Sequence, residues 1–396
     1  MKEALDLCLA CKGCKHDCPV NVDMATYKAE FLSHYDKGRV RPRHAYIFGW
    51  IHIWSRLAAL APSAANLVSQ TPLLREVAKW VAGAAPQRRL PPFAPQSFQH
   101  WFRRHRPANP AGPPVVLWPD TFNNYFHPDT AIAAVEVLEN AGFLVKVPQS
   151  DMCCGRPLYD YGFLDSAQRY LHRVLDELRP HVRAGVPVVG MEPSCLAVFK
   201  DELRKMLPHD DDASRLASNA YHFGEFFTAF GIEPPRMDGQ ALLWGHCHHR
   251  ATGGVEPEKE LLQRMGLRVW SVQGGCCGLA GSWGFEEGKY GISMDCGEQA
   301  LLPAVRSADD DTLIVADGFS CKTQIADSGA GRRALHTAQV LKLAREHRSG
   351  DEAPPPPAPA ITRRVARTAA AALPAAAAAG VIAIVAGKAV RHGLGG

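Results

Sequence analysis

Charge imbalance is nearly absent from this chain: across 396 residues, Lys and Arg exceed Asp and Glu by only 4. No block of like charges runs through its middle, which excludes the electrostatic footprint of a nucleic-acid partner. A secretory signal peptide is missing, so a reducing, cytoplasmic compartment is expected. Also missing is a Gly-rich strand-to-helix turn of the kind that cradles a dinucleotide, and no flavin or nicotinamide site is expected here. Substrate oxidation is therefore not expected on this chain alone.

Cysteine, by contrast, is plentiful, with 12 residues. They fall in one close run and in vicinal pairs, a pattern poorly suited to cross-linking distant segments, because a disulfide has demanding Cα separation and dihedral requirements. Thiolates that bind metal are the better account.

The length suffices for two or three domains, and composition divides the chain into five parts. Residues 1–37 hold the first cysteine run and a helical stretch, Met24 to Tyr35. Residues 38–112 lack cysteine and contain the helical runs Ile47 to Leu60 and Leu73 to Val81, a helical connector. From residue 113 to 348 a strand, helix, strand pattern occurs twice, which predicts an α/β fold with parallel sheet. In residues 113–235, Val115 to Trp118 and Phe143 to Val147 read as strands around a helix, and lead into Cys153-Cys154-Gly155. In residues 236–348, Ala241 to Trp244 and Leu267 to Val272 do the same before Cys276-Cys277-Gly278. Shared order and spacing predict a duplicated domain. Trp118 and Trp244 occupy matching strand positions and read as core. Residues 349–396 are Pro-rich, then basic, then Ala-rich. Their apolar part approaches the minimum of about 17 residues for a membrane helix. Ala inserts weakly and Pro374 interrupts it, so a disordered tail, or one peripheral to a membrane, is expected.

The first run, Cys8-x2-Cys11-x2-Cys14-x3-Cys18-Pro19, matches the spacing of bacterial ferredoxins, in which three close thiolates wrap one 4Fe-4S cube. The cysteine before proline usually serves a second cube, whose own run is missing here. Either Cys18 completes this cluster or its partner lies elsewhere. Zinc is the alternative occupant of closely spaced cysteines. In the later repeats, a vicinal pair plus cysteines near two strand ends brings thiolates to one sheet edge, where α/β folds place ligands. The second repeat offers four: Cys247, Cys276, Cys277 and Cys321. The first offers Cys153, Cys154 and Cys195, with Thr121 where the second has Cys247, and reads as a degenerate structural repeat. His246 and His248 straddle Cys247 and are weaker candidates for a ligand or proton-transfer role. His249 reads as part of a polar loop, and Cys296 as a buried structural thiol.

The second repeat resembles the cysteine-rich "CCG" domain found in heterodisulfide reductases, in the glycolate oxidase iron-sulfur subunit and in anaerobic glycerol-3-phosphate dehydrogenase. The run CLACKGCKHDCPVNVDM, from Cys8 to Met24, resembles the C-terminal part of bacterial FAD-linked oxidases fused to iron-sulfur domains, a family that includes D-lactate and D-2-hydroxyglutarate dehydrogenases. The resemblance implies a 4Fe-4S cluster in the first segment, a second iron-sulfur cluster in the second repeat, and FAD on a partner or on a domain upstream of residue 1. It implies electron transfer from an FAD-linked oxidase toward a quinone or another acceptor. The family's fuller motif ends in Cys-x2-Cys. Gly318 stands at the first of these positions in the second repeat and Glu192 in the first, which leaves room for a four-thiolate site and not for a five-cysteine one. A disulfide or heterodisulfide reductase component, and a zinc-stabilised interaction protein without redox activity, are the alternative readings.

Overall fold

Alternation with a period of two organises both halves. In the computed structural model of the protein, which describes residues 1–348, strand β1 (Pro114–Trp118) is buried at every position. Such burial on both faces is expected of a strand at the centre of a parallel sheet. Val115 and Leu117 point to one side and Val116 and Trp118 to the other, into separate apolar clusters. Strand β5 (Gly239–Leu243) repeats this: Ala241 and Leu243 face one cluster, Leu242 and the following Trp244 another.

The first sheet has the order β2-β1-β3-β4, all parallel, with β2 Leu144–Lys146, β3 Val188–Gly190 and β4 Ala220–Tyr221. The second has the order β6-β5-β7, with β6 Leu267–Ser271 and β7 Leu313–Val315. In each sheet the first strand of the half lies between the second and third. Val116 registers with Val188, and Leu242 with Ile314. One apolar cluster draws on both halves, joining Val115, Leu117, Phe223 and Phe226 to Ala241, Leu243, Leu261 and Val315. Burying each such side chain contributes about 1.5–3 kcal/mol, so neither half is energetically separate from the other. The expected mixture of helical segment, helical connector and parallel α/β sheets is what the structure shows, and both tryptophans are core residues.

The amino-terminal part is helical: α1 (Lys2–Asp6), α2 (Gly13–Asp17) and α3 (Met24–Tyr35). The Asp23 side chain caps α3 by accepting from the Thr26 amide at 3.2 Å. The connector follows as α4 (Arg43–Gly49), α5 (Ile51–Ala58), α6 (Pro62–Gln70) and α7 (Pro72–Ala82). Pro62 and Pro72 open their helices in the first turn, where a missing N–H costs nothing, and Gly83 ends α7 in the left-handed region. Among the described residues no helix is long and apolar enough to cross a membrane. The tail expected to be disordered or peripheral lies outside the described residues.

Candidate metal centre

The cysteine run folds as a loop and one short helix. Ala10, Lys12 and Asn21 adopt positive φ without being glycine, an unusual concentration that turns the backbone around the thiols. The Ala10 amide lies 3.5 Å from Cys8 Sγ and the Met24 amide 3.4 Å from Cys14 Sγ. Backbone amides of Val22, Val20 and Asn21 pull the Cys18 thiol below its ordinary pKa. Amides aimed at sulfur are what a bound thiolate cluster requires. Cys14 is exposed, whereas Cys11 turns inward. Burial, and the nearby Cys247, push Cys11 up to about 11. The first run therefore adjoins the second repeat.

The loop is fastened to the α/β body by charge. Buried Lys12 Nζ lies 3.1 Å from Asp23, 2.5 Å from Asp201 and 2.8 Å from Glu202. Arg156, just after the first vicinal pair, bonds Glu202 and donates to the Ala10 carbonyl at 3.3 Å. His248 Nε2 lies 2.9 Å from that carbonyl and 2.8 Å from Arg156 Nη2. Both repeats thus grip the peptide between Cys8 and Cys11. These anchors, far from the loop in sequence, have no local signature.

In the second repeat Cys247 opens the helix Cys247–Thr252, with His246 as its N-cap. Cys276 and Cys277 lie after β6, and Cys321 is in the helix Phe319–Asp327. All four thiols are buried. Cys276 contacts Cys247 and Cys277, and Cys277 contacts Cys321. Hydrogen bonds from Cys276 and Cys321 hold Cys277 well below the usual thiol range. Gly278 has φ +92°, and a Cβ there would come 1.9 Å from the Ser293 carbonyl oxygen, so the glycine after the pair is obligatory. The four thiols adjoin one another in a chain, and the space a fifth cysteine would take is filled by something else. A Cβ on Gly318 would lie 2.2 Å from His246 Cδ2: the imidazole occupies the space where a side chain at 318 would project. His246 Nδ1 accepts from the His248 amide at 3.2 Å, which orients the ring. Burial lowers its pKa to about 4, so it is neutral at physiological pH.

The first repeat is built alike. Thr121 opens the helix Thr121–Tyr125 behind the N-cap Asp120, the place that Cys247 takes behind His246. Its hydroxyl reaches Cys153. Cys195 Sγ lies 3.0 Å from Cys154 Sγ. Glu192 is buried and bridges the halves: it accepts from the Phe319 amide at 2.8 Å and from the Ser194 hydroxyl at 2.8 Å. Burial, with Asp120 nearby, pushes its pKa up to about 7.

Two expectations need correction. His249 is not in a polar loop; it is buried, stacked on His222 at 3.6 Å between ring centroids and 3.1 Å from Glu258. The helix that begins at Cys247 carries it inward. Cys296 is only half-buried, on the helix Tyr290–Glu298.

One cavity of about 710 Å³ collects Cys11, Cys153, Cys154, Cys195 and Cys247, together with His246 and His248, on its polar floor. Sequence reasoning separated these thiols into three sets. Their convergence depends on packing between segments hundreds of residues apart.

Comparison with known proteins agrees with this geometry. Residues 120–200 match the family model described as a cysteine-rich domain, CCG. That match falls on the repeat with three cysteines. The chain is 26% identical over 360 residues to D-2-hydroxyglutarate dehydrogenase of Escherichia coli, covering 86% of this chain and 34% of that protein. It is 26% identical to one of the subunits of anaerobic glycerol-3-phosphate dehydrogenase of Escherichia coli, covering 65% of this chain and 66% of that polypeptide. Lactate utilization protein A of Bacillus subtilis is 26% identical over 57% of this chain and 98% of its own length. The chain thus spans about a third of the D-2-hydroxyglutarate dehydrogenases it matches. It carries a cysteine-rich CCG domain and is homologous to part of D-2-hydroxyglutarate dehydrogenase, to one polypeptide of anaerobic glycerol-3-phosphate dehydrogenase and to a lactate utilization protein.

Proposed function

We propose that this chain is the iron-sulfur electron-transfer part of a flavin-dependent 2-hydroxyacid dehydrogenase of the D-lactate, glycolate or D-2-hydroxyglutarate type. It would work at the cytoplasmic face of the plasma membrane, receiving electrons from an FAD-linked oxidase domain or subunit and passing them to a quinone or another acceptor. The observation that carries this reading is the approach of Cys11, in the ferredoxin-like run, to Cys247, in the second repeat. Cys8, Cys11, Cys14 and Cys18 would hold a 4Fe-4S cluster, and Cys247, Cys276, Cys277 and Cys321 a second. Such clusters supply one-electron redox chemistry. The chain's own residues do the rest. Backbone amides at Ala10 and Met24 orient thiols of the first run. Lys12, Arg156 and His248 fix its loop against the body. The boundaries proposed for the five segments, 1–37, 38–112, 113–235, 236–348 and 349–396, follow the same division of labour.

Anaerobic purification with iron and acid-labile sulfide counting tests the reading. Two clusters per chain are expected, and Cys11→Ser should abolish the paramagnetic signal of the reduced first cluster while the α/β region stays folded. Zinc without sulfide would instead establish the interaction-protein reading. The 3.0 Å approach of Cys154 and Cys195 favours a second reading, thiol chemistry of the disulfide reductase kind in the same cavity. Reduction of a disulfide substrate that disappears in Cys154→Ser would decide for it.

A further inference from the structure

Helices α5, α6 and α7 are amphipathic the wrong way round for a protein surrounded by water. Their buried positions include His52, Ser55, Ser69 and Lys79, while Leu73 is 84% exposed, Trp80 67% and Leu67 61%, and Leu60, in the turn between α5 and α6, 82%. Exposed apolar side chains scattered singly are ordinary, but a contiguous set on three successive helices marks a contact with something apolar. Charge accompanies it. Residues 38–112 hold eleven Lys or Arg and one acidic residue, Glu76; Lys79 and Arg88 are buried, while Arg56, Arg89, Arg103 and Arg104 are among those exposed. The remainder of the chain is therefore acidic on balance, and the small net charge of the whole conceals a basic connector.

The cavity that ends on the thiols opens through these helices. Trp54, Val68, Leu74, Val77 and Val81 line it and are also exposed at the surface, so they form its mouth. Its largely apolar, concave lining suits a small organic ligand. The walls toward α5–α7 are apolar and the floor is polar, which selects a molecule with a greasy tail and a polar head.

We propose that α5–α7 rest on an anionic phospholipid surface, and that the cavity between them and the thiols takes a lipophilic quinone directly from that surface. This rests on the electron-transfer reading above and names its acceptor. Helices of 8, 9 and 11 residues are too short to span a bilayer and suit the interfacial layer, apolar side chains down and exposed cations of the connector, such as Arg56 and Arg89, toward the headgroups. A soluble protein partner would seal the mouth, whereas a lipid surface delivers an apolar ligand to it. The quinone takes up two electrons, one at a time, and two protons from water to become the quinol. Those electrons are the pair released when a 2-hydroxy acid is oxidised to the 2-keto acid on the flavin.

The test uses the full chain with its metal content intact. Sedimentation with phosphatidylcholine vesicles containing phosphatidylglycerol should carry the protein down, and vesicles of phosphatidylcholine alone should do so weakly. Leu60→Asp with Leu73→Asp, both outside the cavity lining, should weaken binding by at least about tenfold. A ubiquinone with one isoprene unit should quench tryptophan fluorescence saturably in wild type and in this double variant, but not in Ala78→Phe, which fills the cavity. Iron and sulfide counts, unchanged in all variants, separate the outcomes: a chain lacking clusters sinks the electron-transfer reading whatever the vesicles do. No sedimentation with anionic vesicles, or equal sedimentation of the double variant, would overturn the lipid surface. Loss of binding to an FAD-linked oxidase in the double variant, with no vesicle binding in wild type, would assign the face to the flavoprotein instead.

Discussion

The two repeats share a strand order and a cysteine pair, yet they differ at three matching positions. His246 and Cys247 in the second stand where the first has Asp120 and Thr121, and Gly318 stands where the first has Glu192. In the second repeat the changes leave four thiols in contact beside a neutral imidazole. In the first they leave three thiols and replace a ligand position with a carboxyl that ties one half to the other. The same scaffold can therefore serve chemistry in one copy and cohesion in the other, and the choice turns on side chains at helix N-termini rather than on the sheet.

The largest expected contrast is in metal. If the chain holds the two clusters proposed above, Cys277→Ala should remove one of them and about half of the iron, whereas Cys153→Ala should leave iron content close to wild type. Inductively coupled plasma analysis with sulfide counting checks both, and the reverse ranking would place the complete site in the first half. Next comes Gly318→Ala. The added methyl must displace the His246 ring, at a cost of about 1–3 kcal/mol in thermal unfolding. His246→Ala in the same chain should recover most of that loss, because the two positions compete for one space. Additive losses would break the link between them.

A subtler difference is in pH dependence. Glu192 has its folded-state pKa raised from the ordinary 4.5 to about 7 by burial and by Asp120. The native state therefore holds a proton that the unfolded chain releases, and this contribution to stability falls as pH climbs from about 4.5 to about 7. Glu192→Gln keeps the shape without the proton. Its stability relative to wild type should grow across that window, by up to about 3 kcal/mol, and level off above it. Denaturant midpoints at several pH values measure this; parallel curves would mean that Glu192 titrates normally. The smallest effect is at Thr121→Val, which removes the hydroxyl that reaches Cys153 and should cost about 1 kcal/mol with no change in metal.

Much of this comparison was legible in the sequence. The short apolar runs that end in Trp118 and Trp244 located the central strands, and aligning those tryptophans paired Thr121 with Cys247, as the helix starts then show. Other features have no local mark. Lys12 meets Asp201 across 189 positions, so no spacing rule could join them. Gly318 reads only as a missing cysteine until the His246 ring is seen in its place. His249 turned inward because the helix it belongs to docks on Glu258 and His222. The basic charge of the connector stays hidden because a whole-chain balance averages away its eleven cations.

The salt-linked fastening of the cysteine run carries a consequence for biosynthesis. Its holding groups are Arg156, Asp201, Glu202 and His248, all far downstream of Cys18. A ribosome delivers the thiols long before it delivers what immobilises them, and domains of such chains generally fold as units once their sequence has emerged. During that interval Cys8, Cys11, Cys14 and Cys18 are reactive groups on a tether. Maturation must then proceed from the body outward: the α/β halves close on each other first, the loop docks onto them second, and the first segment becomes competent to accept its cofactor last.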